Sequence, residues 1–154
     1  MKSGLKIGVS AVQGAFIEHK RMLESLGCKC VELRRKSDIC DLDGLVLPGG
    51  ESTVQGKLLR ELDMFDELKE RIANGLPVLA TCAGLILLAS HISNDDNVYF
   101  GTLPVTVKRN AYGRQLGSFE ATARFDNSFD FTMTFIRAPY VEAIDDSAKN
   151  DVHV

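Results

Sequence analysis

An α/β fold on a mostly parallel sheet is what this sequence predicts, and three observations predict it. Short apolar runs recur at residues 6–12, 43–47 and 77–81, and they read as buried strands. Between them, apolar residues return at helical spacing. Glycine breaks stand where the strands end, at Gln13-Gly14, Gly49-Gly50 and Ala83-Gly84. Strands alternating with helices make a parallel sheet covered on both faces.

Each element has its own signal. Residues 6–12 form the first strand, and Gln13-Gly14 breaks it. A helix over 15–26 follows, with Phe16, His19, Leu23 and Leu26 in phase and Gly27 as its stop. Residues 28–34 alternate like a second strand, and 38–42 are a connector. The third strand runs into Pro48-Gly49-Gly50. Ser52 and Gln55 match a capping box for the next helix. Its apolar positions are Leu58, Leu59, Leu62, Phe65, Leu68 and Ile72, with a break near Asp63. Asn74-Gly75 closes it, 77–81 is the fourth strand, and 83–92 reads as helix. From Asn97 onward the pattern changes. Val105 and Val107, then Phe119, Ala121, Ala123 and Phe125, then residues 131–137, alternate like strands. They predict antiparallel strands added at the sheet edge.

Bulk properties bound the function. A chain of 154 residues reads as one domain, 1–154, large enough for a sizeable core. Hydrophobic residues at 45% and charged residues at 25% are ordinary for a globular protein. A net charge of −3 with scattered lysines and arginines gives no basic field for nucleic acid or an anionic membrane. No apolar stretch approaches the roughly 20 residues that span a bilayer. The start of the chain carries no signal core, so the cytoplasm is the expected compartment. Four cysteines in a chain of this size fit reducing conditions better than a disulfide scaffold.

In an open α/β sheet, ligands bind beyond the carboxyl ends of the strands. Gln13-Gly14, the Gly49-Gly50-Glu51-Ser52 loop and Cys82-Ala83-Gly84 all fall at such ends. Cys82 is the strongest candidate among them. A buried cysteine is commonly just a small hydrophobe. This one stands where a strand gives way to a helix, a sharp turn that suits an exposed nucleophile. The backbone N–H of Ala83, opposite one from the glycine loop, would make an oxyanion site. No Gly-Lys-Ser/Thr follows the loop, so it is not a phosphate P-loop. Arg109 and Arg137 end strand-like runs, and a guanidinium fork suits a carboxylate, although spacing alone reads each as a surface charge. Cys28 and Cys30 would face opposite ways on a strand, and no second pair of ligands follows. No metal or cofactor is expected. His19 reads as a satisfied structural histidine, and neither His91 nor His153 has a catalytic context.

These segments carry a family resemblance. They are residues 8–16, Leu47-Pro48-Gly49-Gly50-Glu51-Ser52-Thr53, Thr81-Cys82-Ala83-Gly84 with the apolar run after it, 107–115 around Arg109-Asn110, Ser118-Phe119-Glu120-Ala121, and Phe135-Ile136-Arg137-Ala138-Pro139. Through them the chain resembles the glutaminase subunit of pyridoxal 5′-phosphate synthase, a class I glutamine amidotransferase. The resemblance implies a flavodoxin-like three-layer sandwich with added antiparallel strands. It implies hydrolysis of L-glutamine to glutamate and ammonia, with ammonia passed to a (β/α)₈-barrel synthase subunit. Cys82 matches the nucleophile, and Gly50 with the backbone of Ala83 matches the oxyanion hole. Gly50, Glu51, Ser52, Arg109, Ile136 and Arg137 match glutamine-binding positions. Gln13 falls near the active site and the partner interface.

One departure stands out. The family completes a Cys-His-Glu triad with a His-Pro-Glu segment, and these 154 residues contain none. The chain is therefore expected to lack the family's C-terminal segment and, by itself, to be severely impaired as a glutaminase. Three rival readings compete with it: a silent partner that binds the synthase, the glutaminase of another amidotransferase such as that of histidine biosynthesis, and an α/β stress protein of the DJ-1 type. Gly49-Gly50-Glu51-Ser52-Thr53 and the Arg109-Asn110-x-x-Gly113-Arg114-Gln115 run, which set this subfamily apart from other class I glutaminases, argue against the second, and Gln13 fits the third poorly.

Overall fold

The computed structural model describes residues 4–110, 119–125, 128–135 and 138–148. Four strands form its parallel sheet: β1 (Lys6–Ser10), β2 (Lys29–Leu33), β3 (Gly44–Leu47) and β4 (Val78–Ala80). Their order is β2-β1-β3-β4, the order of a flavodoxin-like sheet. Register aligns the strand ends. Val9 pairs with Val46, and Val46 with Leu79, so β1, β3 and β4 deliver their carboxyl ends to one edge. β3 is buried at every position, whereas Leu79 on β4, at the sheet's margin, is 53% exposed.

The helix α1 (Phe16–Ser25) joins β1 to β2. α2 (Ser52–Glu61) and α3 (Phe65–Ala73) join β3 to β4. The two crossovers step in opposite directions along the sheet, so right-handed connections put α1 and the α2–α3 pair on opposite faces. The expected break near Asp63 is present. Asp63 N–H bonds the Arg60 carbonyl and Met64 N–H reaches back to Leu59, a Schellman ending with Asp63 at φ 60°. Gly27 and Gly75 end α1 and α3 with the same hydrogen-bond pattern.

Two expectations are corrected. The helix expected over 83–92 is only α4 (Ala83–Leu88), and the chain then extends into β5 (Ala89–Ile92). The run Ala83 to Ile92 is apolar almost throughout, so no period marked the switch. The expected capping box is also absent. Glu51, extended at φ −104° and ψ 109°, is the N-cap, and Ser52 is already helical. Gln55 does not reach back to cap the helix; its amide reaches loop carbonyls instead.

Antiparallel strands are added, but in separate sheets rather than on the edge of the parallel one. β6 (Leu103–Lys108) runs parallel to β5. β7 (Phe119–Phe125) and β8 (Phe129–Phe135) form a two-stranded ribbon. β9 (Tyr140–Ile144), which the sequence reading did not mark, runs antiparallel to β6. The core joins both larger sheets. Leu33, Leu45, Leu47, Leu59, Met64, Leu68, Leu87 and Val105 are sealed from solvent, and Phe65 stacks on Phe100 at 4.8 Å.

Candidate active site

Three loops leave the aligned strand ends and meet. The loop after β1 and the loop after β3 are laced together by hydrogen bonds. Ala15 N–H bonds the Gly49 carbonyl at 3.0 Å, and Glu51 N–H bonds Gln13 Oε1 at 2.9 Å. Buried Gln55 donates from Nε2 to the carbonyls of Gln13 at 3.0 Å and Pro48 at 3.2 Å. Gly14 is required here, because it sits at φ +102° and a Cβ would strike the Gly49 carbonyl oxygen.

The third loop carries Cys82. Thr81 N–H bonds the Leu47 carbonyl at 3.1 Å, which extends the β3–β4 pairing to the brink of the turn. Cys82 then takes φ 47° and ψ −102°, and Ala83 opens α4. A side-chain-bearing residue at such angles costs about 1–3 kcal/mol and persists only where its surroundings enforce it. The Gly84 N–H to Thr81 carbonyl bond of 2.8 Å helps close the turn. Cys82 is exposed, whereas Ala83 and Gly84 behind it are buried. The sharp strand-to-helix turn expected from sequence is therefore present.

The glycine loop stands beside this thiol-bearing turn. A Cβ built on Gly49 would lie 3.6 Å from Cys82 Cβ and 3.8 Å from Thr81 Oγ1. The corresponding direction on Gly50 faces the other way, onto the side chains of Gln13 and Gln55. Gly49 thus lies in contact range of Cys82, and Gly50 is packed against Gln13 too closely for a Cβ.

Arg109, just past β6, reaches the same loop from the second sheet. Its backbone and the Asn94 side chain exchange two hydrogen bonds of 3.0 Å. Its guanidinium pairs with Asp95 and extends Nη2 to Thr53 Oγ1 at 3.3 Å, one residue beyond Ser52. The surface-charge reading from spacing alone is corrected, since the Arg109 side chain is only 19% exposed. Asp95 is held below its ordinary carboxyl range by the Asn97 backbone N–H first, and by Arg109 as well. Ser52 Oγ is buried and has no hydrogen-bond partner among the described residues.

Cys82, Ala83, Gly50, Glu51, Ser52, Gln13 and Arg109 are thus brought to one end of the sheet. Ile136, Arg137 and His153 lie outside the described residues. Sequence reasoning quoted Thr53 only within the segment that carries the resemblance, and it passed over Asn94 and Asp95, which hold Arg109. No motif marks Asn94 or Asp95, since they meet Arg109 only through the fold. Among the described residues no group of histidine, cysteine or carboxylate side chains could hold a metal ion. A separate groove of about 600 Å3, lined in part by Asp43, Glu67, Arg71 and Pro77, opens at the opposite ends of the strands.

An exposed cysteine on an enforced turn beside glycine backbone is an arrangement suited to acyl transfer. The profile of the SNO glutamine amidotransferase family matches residues 9–154. This chain belongs to the SNO glutamine amidotransferase family. Its relatives include pyridoxal 5′-phosphate synthase subunit PdxT of Desulfitobacterium hafniense, 63% identical over 141 residues, covering 91% of this chain and 71% of that one. The subunit of the same name from Methanocorpusculum labreanum is 53% identical over 146 residues, covering 94% and 77%. A solved structure described as a glutamine amidotransferase superposes with a TM-score of 0.83 at 42% identity, covering 91% of this chain and 75% of the other. The SNO family fold also resembles PurLQS from Thermotoga maritima, with a TM-score of 0.65 at 16% identity, a likeness of fold alone.

Proposed function

We propose that this chain is the glutaminase subunit of a pyridoxal 5′-phosphate synthase. It would hydrolyse L-glutamine to L-glutamate and ammonia, and pass the ammonia to a (β/α)₈-barrel synthase subunit. The observation that carries the reading is the Cys82 turn set against the Gly49-Gly50 loop in a member of the SNO glutamine amidotransferase family. Relatives named as pyridoxal 5′-phosphate synthase subunits support the assignment of partner. A cytoplasmic setting belongs to the same proposal. No described helix is long and apolar enough to cross a membrane.

The Cys82 thiolate attacks the γ-amide carbonyl carbon of glutamine, and the carbonyl oxygen takes up negative charge. Backbone N–H groups of Gly50 and Ala83 would hold that oxyanion. Collapse of the tetrahedral adduct breaks the C–N bond, the nitrogen leaves with an added proton as ammonia, and a γ-glutamyl thioester remains. Water then cleaves the thioester, releasing glutamate and restoring Cys82. Arg109 and Arg137 would bind the substrate carboxylate, with Glu51, Ser52 and Ile136 completing the pocket and Gln13 bracing its loop.

Removal of the thiol proton and its return to the leaving nitrogen require a general base and acid, contributing typically 10²–10⁴-fold. The family resemblance gives that task to the histidine of the His-Pro-Glu segment, which these 154 residues do not contain. The test measures ammonia release from L-glutamine in the presence of the synthase subunit. These residues alone should run at least about 10²-fold below a version extended with a relative's His-Pro-Glu segment. Cys82→Ala in the extended version should abolish release. Persistent activity in that variant would overturn the assignment of Cys82. Steady turnover by the 154 residues would overturn the need for the added base.

A further inference from the structure

Helix α1 touches the site at two places one turn apart. Ala15, at its N-cap, bonds the Gly49 carbonyl, and His19 Nε2 shares a hydrogen bond of 3.2 Å with Thr81 Oγ1. The start of α1 thus meets the glycine loop through a backbone N–H and, one turn on, the residue before Cys82 through a side chain.

Thr81 has no slack left. Its N–H is bonded to β3 through Leu47, its carbonyl to the first turn of α4 through Gly84, and its hydroxyl to α1 through His19. It is immediately followed by the strained φ 47° of Cys82. A conformation of this kind is kept by over-determination from its neighbours. Of the three ties, only the one to His19 comes from a side chain, and it reaches the helix whose N-cap also bonds Gly49. Thr81 Oγ1 also stands 3.8 Å from where a Cβ on Gly49 would lie.

We infer that His19 is a positioning residue: through Thr81 it fixes the Cys82 turn, and through the first turn of α1 it ties that turn to the Gly49-Gly50 loop. The sequence reads His19 as a satisfied structural histidine, and the partner that satisfies it is Thr81. In relation to the reaction, the inference rests on the proposed role of Cys82. His19 itself touches no reacting atom. Its effect passes through Thr81, so the hydrogen bond rather than the imidazole charge is what matters.

The experiment needs no glutaminase activity. The 154-residue chain is treated with iodoacetamide, and alkylation is followed cysteine by cysteine by mass spectrometry. Exposed Cys40, remote in the connector before β3, is the internal control. His19→Ala and Thr81→Val should each slow alkylation of Cys82 by about 3- to 10-fold relative to Cys40. The double variant should be no slower than either single one, because both remove the same bond. His19→Gln, whose amide nitrogen can stand in for Nε2, should restore the rate. A Cys82 rate that stays constant, rises, or moves only in step with Cys40 would overturn the inference, as would additive effects in the double variant. Failure of Cys82→Ala to abolish ammonia release would instead refute the proposed reaction and leave the His19 result standing on its own.

Discussion

At Gly84 a single hydrogen atom decides whether α4 can lie where it does. A Cβ there would collide with the Leu47 carbonyl oxygen, a backbone atom that is already bonded to Thr81 N–H. The glycine lets the helix after Cys82 press directly onto β3. Gly84→Ala should cost about 1–3 kcal/mol, since the neighbour that must yield is main chain. A urea titration would show it as a lowered midpoint with an unchanged slope. An unaltered midpoint would mean that α4 can shift without penalty. The same close approach explains why Cys82 was legible from sequence: a small residue two places after a cysteine is a local signal. The clamp on Arg109 was not legible, because Asn94 and Asp95 come from a different segment and meet it only in space.

Among the elements, the α2–α3 joint offers a direct test of backbone economy. Asp63 occupies the left-handed region at φ 60°, where glycine carries no steric penalty. Asp63→Gly should therefore stabilise the chain by about 0.5–1 kcal/mol, the local relief being partly offset by a more flexible unfolded state. Thermal unfolding would register the gain, and a loss would show that the Asp63 side chain contributes something beyond the turn. The first four strands and their helices were readable because glycine and amphipathic spacing punctuate them. The exchange of α4 for β5 was not, because Leu85 to Ile92 packs into a core shared by both sheets and carries little polar phase. β9 escaped notice for a related reason. Tyr140–Ile144 alternates weakly, and its strand character comes from pairing with β6 across a long stretch of sequence. The capping box misled because Ser52 and Gln55 have the right spacing, while the loop carbonyls of Gln13 and Pro48 compete successfully for the Gln55 amide.

For the whole molecule, three carboxylates tie charge to stability. Glu32 is held below its ordinary range chiefly by the hydrogen bond from Lys20, and then by Arg34. Asp38 is lowered chiefly by the Arg34 backbone N–H, and Asp95 by that of Asn97. A carboxyl group with a depressed folded-state value adds stability that is complete above its unfolded value, about pH 4. That contribution is lost as pH falls through the folded value. The melting temperature should accordingly drop as pH falls below about 4, and Asp95→Asn should flatten part of that drop. A melting temperature indifferent to acid would show that these contacts do not persist in solution.

The parallel sheet has a further consequence, which concerns the order in which the chain is made. β1 lies between β2 and β3, and β4 completes the row only at Ala80. Parallel pairing joins segments far apart in sequence, which makes such sheets slow to form. Every strand of this sheet precedes Cys82, so a ribosome releases the whole platform before it releases the thiol. The reactive turn can be shaped only after β4 has docked on β3, because Thr81 N–H takes its bond from Leu47. A nascent chain thus exposes an ordinary, relaxed cysteine first and acquires the strained one last, when the framework that enforces it is already standing.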